Sequence, residues 1–205
     1  MRSLSHWLKS VNVLARLAAL WLICAPLFTV AWTTSYYLLP EGILRGKLLG
    51  QYIPVETSHV ITTFLRIFGV NLLAGCGLVT LANLFQVGDT SLGCLIVMFH
   101  AGLYGVLLGT NSFGIPAPAR FAPSLNTVLN RSGAFEITAY IAIAAATRGL
   151  AIWRQRSRLD WHSEQAGSWR EWWLNRSEIG VIVGAILLLA AANYREAVQM
   201  HQLLG

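Results

Sequence analysis

Long apolar runs separated by short polar stretches dominate this chain. The first, Leu17 to Leu39, follows a short basic start, MRSLSHWLKSVNVLAR, and Trp32, Tyr36 and Tyr37 crowd its far end, where a bilayer interface favours aromatic rings. A secretory leader has a shorter apolar region and a small-residue cleavage site, so this run reads as a retained helix, bent near Pro26 where a backbone donor is missing. Ser3 to Arg16 reads either as an amphipathic helix on the membrane surface or as a mobile tail. Pro40 to His59 is a connection. The second run extends from Val60, with its crossing part at 66–87, and the turn Gln86-Val87-Gly88-Asp89-Thr90 is tight enough to set the next helix antiparallel. That helix, 91–113, carries Gly102, Gly105 and Gly109 on one stripe, a packing face for a close neighbour. Pro116, Pro118 and Pro123 then forbid a continuing helix, apart from a short piece over 123–130. Two more runs follow, 133–152 and 179–198. Each span is about 20 residues, as the hydrocarbon thickness demands. The pattern predicts an all-α polytopic membrane helix bundle, one domain over 1–205, with about five transmembrane helices at 17–39, 66–87, 91–113, 133–152 and 179–198 plus short interfacial helices.

Composition agrees. Hydrophobic residues make up 55% and charged residues 12%, with mean hydropathy +0.55, whereas a soluble domain is about 25% charged. The net charge of +6 does not imply nucleic acid, because the arginines flank apolar runs and form no basic stripe. Their bias toward the segments before Leu17 and after Ile152 predicts a cytoplasmic N-terminus and an outer C-terminus. Cys24, Cys76 and Cys94 lie inside apolar runs at spacings that fit neither a zinc site nor a disulfide framework. No cofactor is expected.

Candidate chemistry centres on the fourth run, SGAFEITAYIAIAAATRGLAI. A carboxylate in such a helix is costly, so Glu136 asks for a reason. Ser132 is a candidate N-cap, and Glu136 sits where the helix dipole favours negative charge. Glu136, Ala139, Tyr140 and Ile143 share one face; Thr138, Ala142, Ala145 and Gly149 share roughly the opposite one. Neither face suits lipid, which predicts a central helix. Candidate partners for Glu136 are Arg131, Arg66, His100 or another protein. Asn71 can hydrogen-bond across to a neighbouring helix, and His100 can do the same or handle a proton. The polar segment 153–177 interleaves Trp161, Trp169, Trp172 and Trp173 with arginines that include Arg170. It suits an amphipathic helix on an anionic membrane surface or an interface with Trp and Arg anchors.

From about Phe64 to Trp153 the chain resembles the stage II sporulation protein M family of membrane proteins. Phe68 and Asn71 stand at its helix start, Gly75 to Gly109 in its glycine-rich antiparallel pair, and Arg131-Ser132-Gly133-Ala134-Phe135-Glu136 at its Pro-His-Gly-x-x-Glu motif. Gly133 and Glu136 match; Arg131 and Ser132 replace Pro and His. The resemblance, to a family of bacterial and archaeal proteins, implies a multi-pass scaffold without known enzymatic activity, and a bacterial inner membrane is the expected location. The expectation is therefore a non-catalytic subunit that meets membrane lipids and other integral membrane proteins, or further copies of itself. The alternative is a transporter or channel component with Glu136, His100 and Asn71 lining a polar path. No nucleophile–base pair or metal cluster occurs at helical spacing, so an enzyme is not expected.

Overall fold

The first apolar run becomes helical at Asn12, whose side chain accepts the N–H of Leu14 at 2.9 Å and caps α1 (Val13–Leu38). The computed structural model describes residues 10, 12–47, 59–114, 117, 119–155, 162–165, 167–168 and 173–204. Helix α1 continues through Pro26. Helix α2 (Val60–Ala82) is α-helical to Val70, π-helical over Asn71–Gly77 and α-helical again from Leu78. Strands β1 (Phe85–Val87) and β2 (Thr90–Ser91) form a hairpin around Gly88, whose φ of 59° suits a residue without a Cβ. Ser91 caps α3 (Leu92–Gly109). Then come α4 (Leu125–Asn130), α5 (Gly133–Thr147) with a 3-10 turn at Arg148–Leu150, β3 (Trp153–Gln155), β4 (Ser163–Gln165) and α6 (Arg176–Leu204).

Close backbone approach explains the glycine stripe of α3. Going up that helix, Gly102 meets Leu27, Gly105 meets Phe28 and Trp32, and Gly109 meets Trp32 and Ser35, so α1 and α3 run parallel. A Cβ on Gly105 would lie 2.5 Å from the Phe28 carbonyl oxygen, a contact only glycine escapes. Helix α6 runs antiparallel to α2: Thr63 bonds His201 at 3.1 Å, and Asn71 bonds Asn193 further along. Helix α5 occupies the centre, packed against α1, α2, α3 and α6. Eleven of its fifteen residues are buried, among them the run from Ala139 to Thr147.

Among the described residues, four helices, α1, α2, α3 and α6, are long and apolar enough to cross a membrane. They turn large apolar side chains outward, including Leu22, Ile61, Leu73, Phe99 and Leu187. Helix α5 is shorter, rising about 22 Å at 1.5 Å per residue, less than a hydrocarbon core of about 30 Å. The bundle thus has four long apolar helices around a short buried one, where about five spanning helices were expected. The helices also begin and end elsewhere: the first starts at Val13, the second runs from Val60 to Ala82, and the third stops at Gly109.

One end of the bundle carries a sheet that the sequence reading lacked, in the order β2-β1-β3-β4. Strand β3 pairs parallel with β1 and antiparallel with β4. Trp153–Gln155 and Ser163–Gln165 correct the expected amphipathic helix over 153–177. The carbonyl of Leu84 accepts both Ile152 and Trp153 N–H at 2.9 Å, which pulls the chain leaving α5 alongside β1. At this end Asn83, fully buried, donates to the Ala144 carbonyl at 3.0 Å and the Thr147 hydroxyl at 2.7 Å, tying α2 to α5. Arg16 makes a buried ion pair with Glu178, which also caps α6 reciprocally with Asn175.

At the opposite end Arg120 closes two helices. Its guanidinium donates to the carbonyls of Gly109 (2.8 Å), Ser35 (3.0 Å) and Leu39 (3.1 Å) and stacks over Tyr36. The parallel C-termini of α1 and α3 present carbonyl oxygens and partial negative charge at one point, and a guanidinium answers both.

Candidate functional site: a carboxyl pair between helices

The start of α5 and the far part of α6 bring two carboxyl groups together. Glu136 faces Glu196 at hydrogen-bonding range, with the Ser132 hydroxyl beside both. A hydrogen bond between two carboxyl groups requires a proton on one of them. Glu136 Oε1 is sealed from solvent with no hydrogen-bond partner. Tyr104 from α3 and Tyr140 from α5 stand within the electrostatic reach of both carboxyls, and Arg131 acts on Tyr104 and Glu196. Among the described residues, the side chains acting on Glu136 are Glu196 and Ser132. Its expected partners were Arg131, Arg66 and His100; the structure puts a second acid there instead. Glu196 was missed because it lies beside Arg195 in a stretch that reads as the polar end of the last helix.

Glycine shapes the surroundings. The Tyr104 ring lies directly on Gly133, where any Cβ would overlap its Cζ and hydroxyl. Ser132 is helical in its backbone and its side chain makes no cap, so the N-cap expected there does not form. Across the helix, Tyr140 lies over Gly75, where a Cβ would sit 2.5 Å from Cε1. Gly75 belongs to the π-helical stretch, whose extra residue per turn offsets the faces of α2 before and after it.

That stretch begins at Asn71, which donates to Asn193 Oδ1 at 2.9 Å. Asn193 is fully buried and lies one turn before Glu196 on α6. Its Nδ2 has no hydrogen-bond partner. Asn71, Asn193, Glu196 and Glu136 therefore make a polar seam along the α6 face that meets α2 and α5. His100 belongs only to its edge. Its Nδ1 donates to the Ile96 carbonyl at 2.9 Å within α3, in place of the interhelical bond expected, and its ring centre lies 5.9 Å from that of Tyr140. The protein offers this seam two acids and hydroxyl and amide groups. Among the described residues no three His, Cys, Asp or Glu side chains gather as a metal site. Two open clefts lie away from the seam; one overlies α1 around Pro26, and the other lies among arginines at the sheet end.

Of the Trp and Arg interface residues, Trp173 is 85% exposed. Trp161, Trp169, Arg170 and Trp172 lie outside the described residues. A different surface draws notice. On α6, Gly180, Val183, Gly184, Leu187 and Ala191 form one exposed stripe, and nothing lies within 4 Å of a Cβ built on Gly180 or Gly184. Comparison with family models, with curated proteins and with solved structures finds no match.

Proposed function

We propose that this protein is a non-catalytic, multi-pass membrane subunit that assembles with other integral membrane proteins or with further copies of itself. The observation that carries the reading is the bare Gly180/Gly184 stripe on α6. In lipid, small residues spaced by four let a neighbouring helix approach closely. Five other glycines of this kind, Gly75, Gly93, Gly105, Gly109 and Gly133, are already covered from within the chain. The stripe on α6 has the same chemistry with no neighbour. Helix α5, the resemblance to the stage II sporulation protein M family and the seam around Glu136 fit the same reading, with Gly133 and Glu136 locking α5 to its neighbours. We place the protein in the bacterial inner membrane with its N-terminus inside, on the arginine and lysine bias.

Replacing Gly180 and Gly184 together by leucine tests this. The expected result is unchanged insertion and thermal stability with loss of the oligomer or the co-purifying membrane protein. Unaltered assembly of the double variant would overturn the reading. A second reading, a transporter or channel component, is favoured by one observation, the meeting of Glu136 and Glu196 inside the bundle. It predicts proton or cation flux in proteoliposomes that Glu136→Gln with Glu196→Gln abolishes; no flux above that of empty vesicles would remove it.

A further inference from the structure

The sheet end of the bundle holds a second polar site. Arg16 from α1, Arg148 from the end of α5 and Arg154 from β3 line one cleft of roughly 370 Å³, with Ser10, Gln86, Asp89 and Gly149 completing the wall. Pockets for small ligands begin at about 300 Å³. The three guanidiniums reach this point by separate routes: the capped start of α1, the 3-10 turn that ends α5, and the strand pulled against β1. Each is steadied from the side. Arg154 donates to Gln86 Oε1 through Nε at 3.1 Å and Nη2 at 3.0 Å, Arg148 donates to the Asp89 carbonyl at 2.9 Å, and Arg16 pairs with Glu178.

Two features call for an anion. Arg16 is 5% exposed, yet among the described residues its Nε–H has no acceptor. Guanidinium nitrogens only donate, so this group needs an oxygen that the described residues do not supply. Among the described residues, the cleft wall also carries three arginines and one acid, Asp89. Burial, and then the like charges of Arg16 and Arg154, disfavour the charged form of Arg148. We infer that this cleft binds a phosphate group. Planar guanidinium forks match paired oxygens, and three guanidiniums converging from different elements suit the several oxygens of a phosphate better than a halide or the two oxygens of a lone carboxylate. The cleft lies where the long apolar helices end, at the depth of lipid headgroups, so the phosphate is that of an anionic phospholipid or a free one in solution.

The test uses the full chain in nanodiscs of phosphatidylcholine, of phosphatidylcholine with phosphatidylglycerol, and of phosphatidylcholine with added inorganic phosphate. Thermal unfolding and co-purified phospholipid are read for wild type, Arg154→Gln, Arg148→Gln and, as an equal change of charge at the other end, Arg45→Gln. A headgroup site predicts stabilisation and retained phosphatidylglycerol in the second disc only. A free phosphate site predicts stabilisation in the third as well. In either case Arg154→Gln and Arg148→Gln should each weaken binding about tenfold or more, as the loss of charge-assisted hydrogen bonds implies, while Arg45→Gln binds as wild type does. No anion effect in any disc, or equal loss in all three variants, would overturn the proposal. Arg154 is exposed and crosses no helix, so its variant keeps the test readable even if Arg148→Gln fails to fold.

Discussion

Gly133→Ala decides between two opposite expectations. At a position where alanine fits, replacing glycine stabilises a protein by about 0.4–1 kcal/mol, through lost freedom of the unfolded chain. Here the new methyl would overlap the Tyr104 ring. That ring has little room to retreat, since it packs between Phe28 at 6.1 Å and Phe113 at 6.0 Å between centroids. Overpacking of this kind costs about 1–3 kcal/mol. The net effect is a loss of about 0.5–2.5 kcal/mol. For a chain of this size that lowers Tm by about 1–10 °C. Thermal unfolding of the purified protein in one detergent measures it. Tyr104→Leu in the Gly133→Ala background should recover part of the loss, which a double-mutant cycle would record as coupling. A rise in Tm for Gly133→Ala alone, or strictly additive effects of the two changes, would refute the close packing of α3 on α5.

Further outcomes follow from the same contacts. Arg16→Met should cost about 3–5 kcal/mol because it strands a buried Glu178, while Arg16→Met with Glu178→Met should be far milder; chemical unfolding of both compares them. Arg120→Ala should cost about 2–4 kcal/mol by leaving the ends of α1 and α3 uncapped, and Arg120→Lys should restore only part, since an ammonium cannot fork between carbonyls; Tm of the two variants checks this. Glu136→Gln should be tolerated better than Glu136→Leu, because an amide still supplies a donor to Glu196 and leucine leaves that acid alone; the yield of folded protein by size-exclusion chromatography orders them. Asn83→Ala should destabilise by about 1–3 kcal/mol through the bonds lost to Ala144 and Thr147, again read by thermal unfolding.

The apolar runs were legible because crossing a bilayer demands length and hydropathy, which survive in a single sequence. The burial of α5 was legible too: one acid, small residues on one side and tyrosine on the other leave no face for lipid. The sheet was not. Its strands are two or three residues long, too short for alternation to show, and their pairing depends on where α5 delivers Ile152. The tight turn at Gly88 was its one local trace. The tryptophans of 153–177 suggested an amphipathic helix by composition alone, and composition carries no register. Glu196 escaped notice because its partner is sixty residues earlier in the chain. Asn193 and Glu196, three apart on one helical face, were the available hint, matching Asn71 and Glu136 on facing helices. Arg120 looked like a loop charge; its role exists only once α1 and α3 end side by side.

The account turns on the bare face of α6. A photo-crosslinking residue introduced singly at positions 180, 183, 184, 185, 187, 189 and 191, in native membranes, reads that face directly. Protein adducts at 180, 183, 184, 187 and 191, absent at the inward positions 185 and 189, are the predicted result. Adducts with lipid alone along the whole exposed stripe would contradict it.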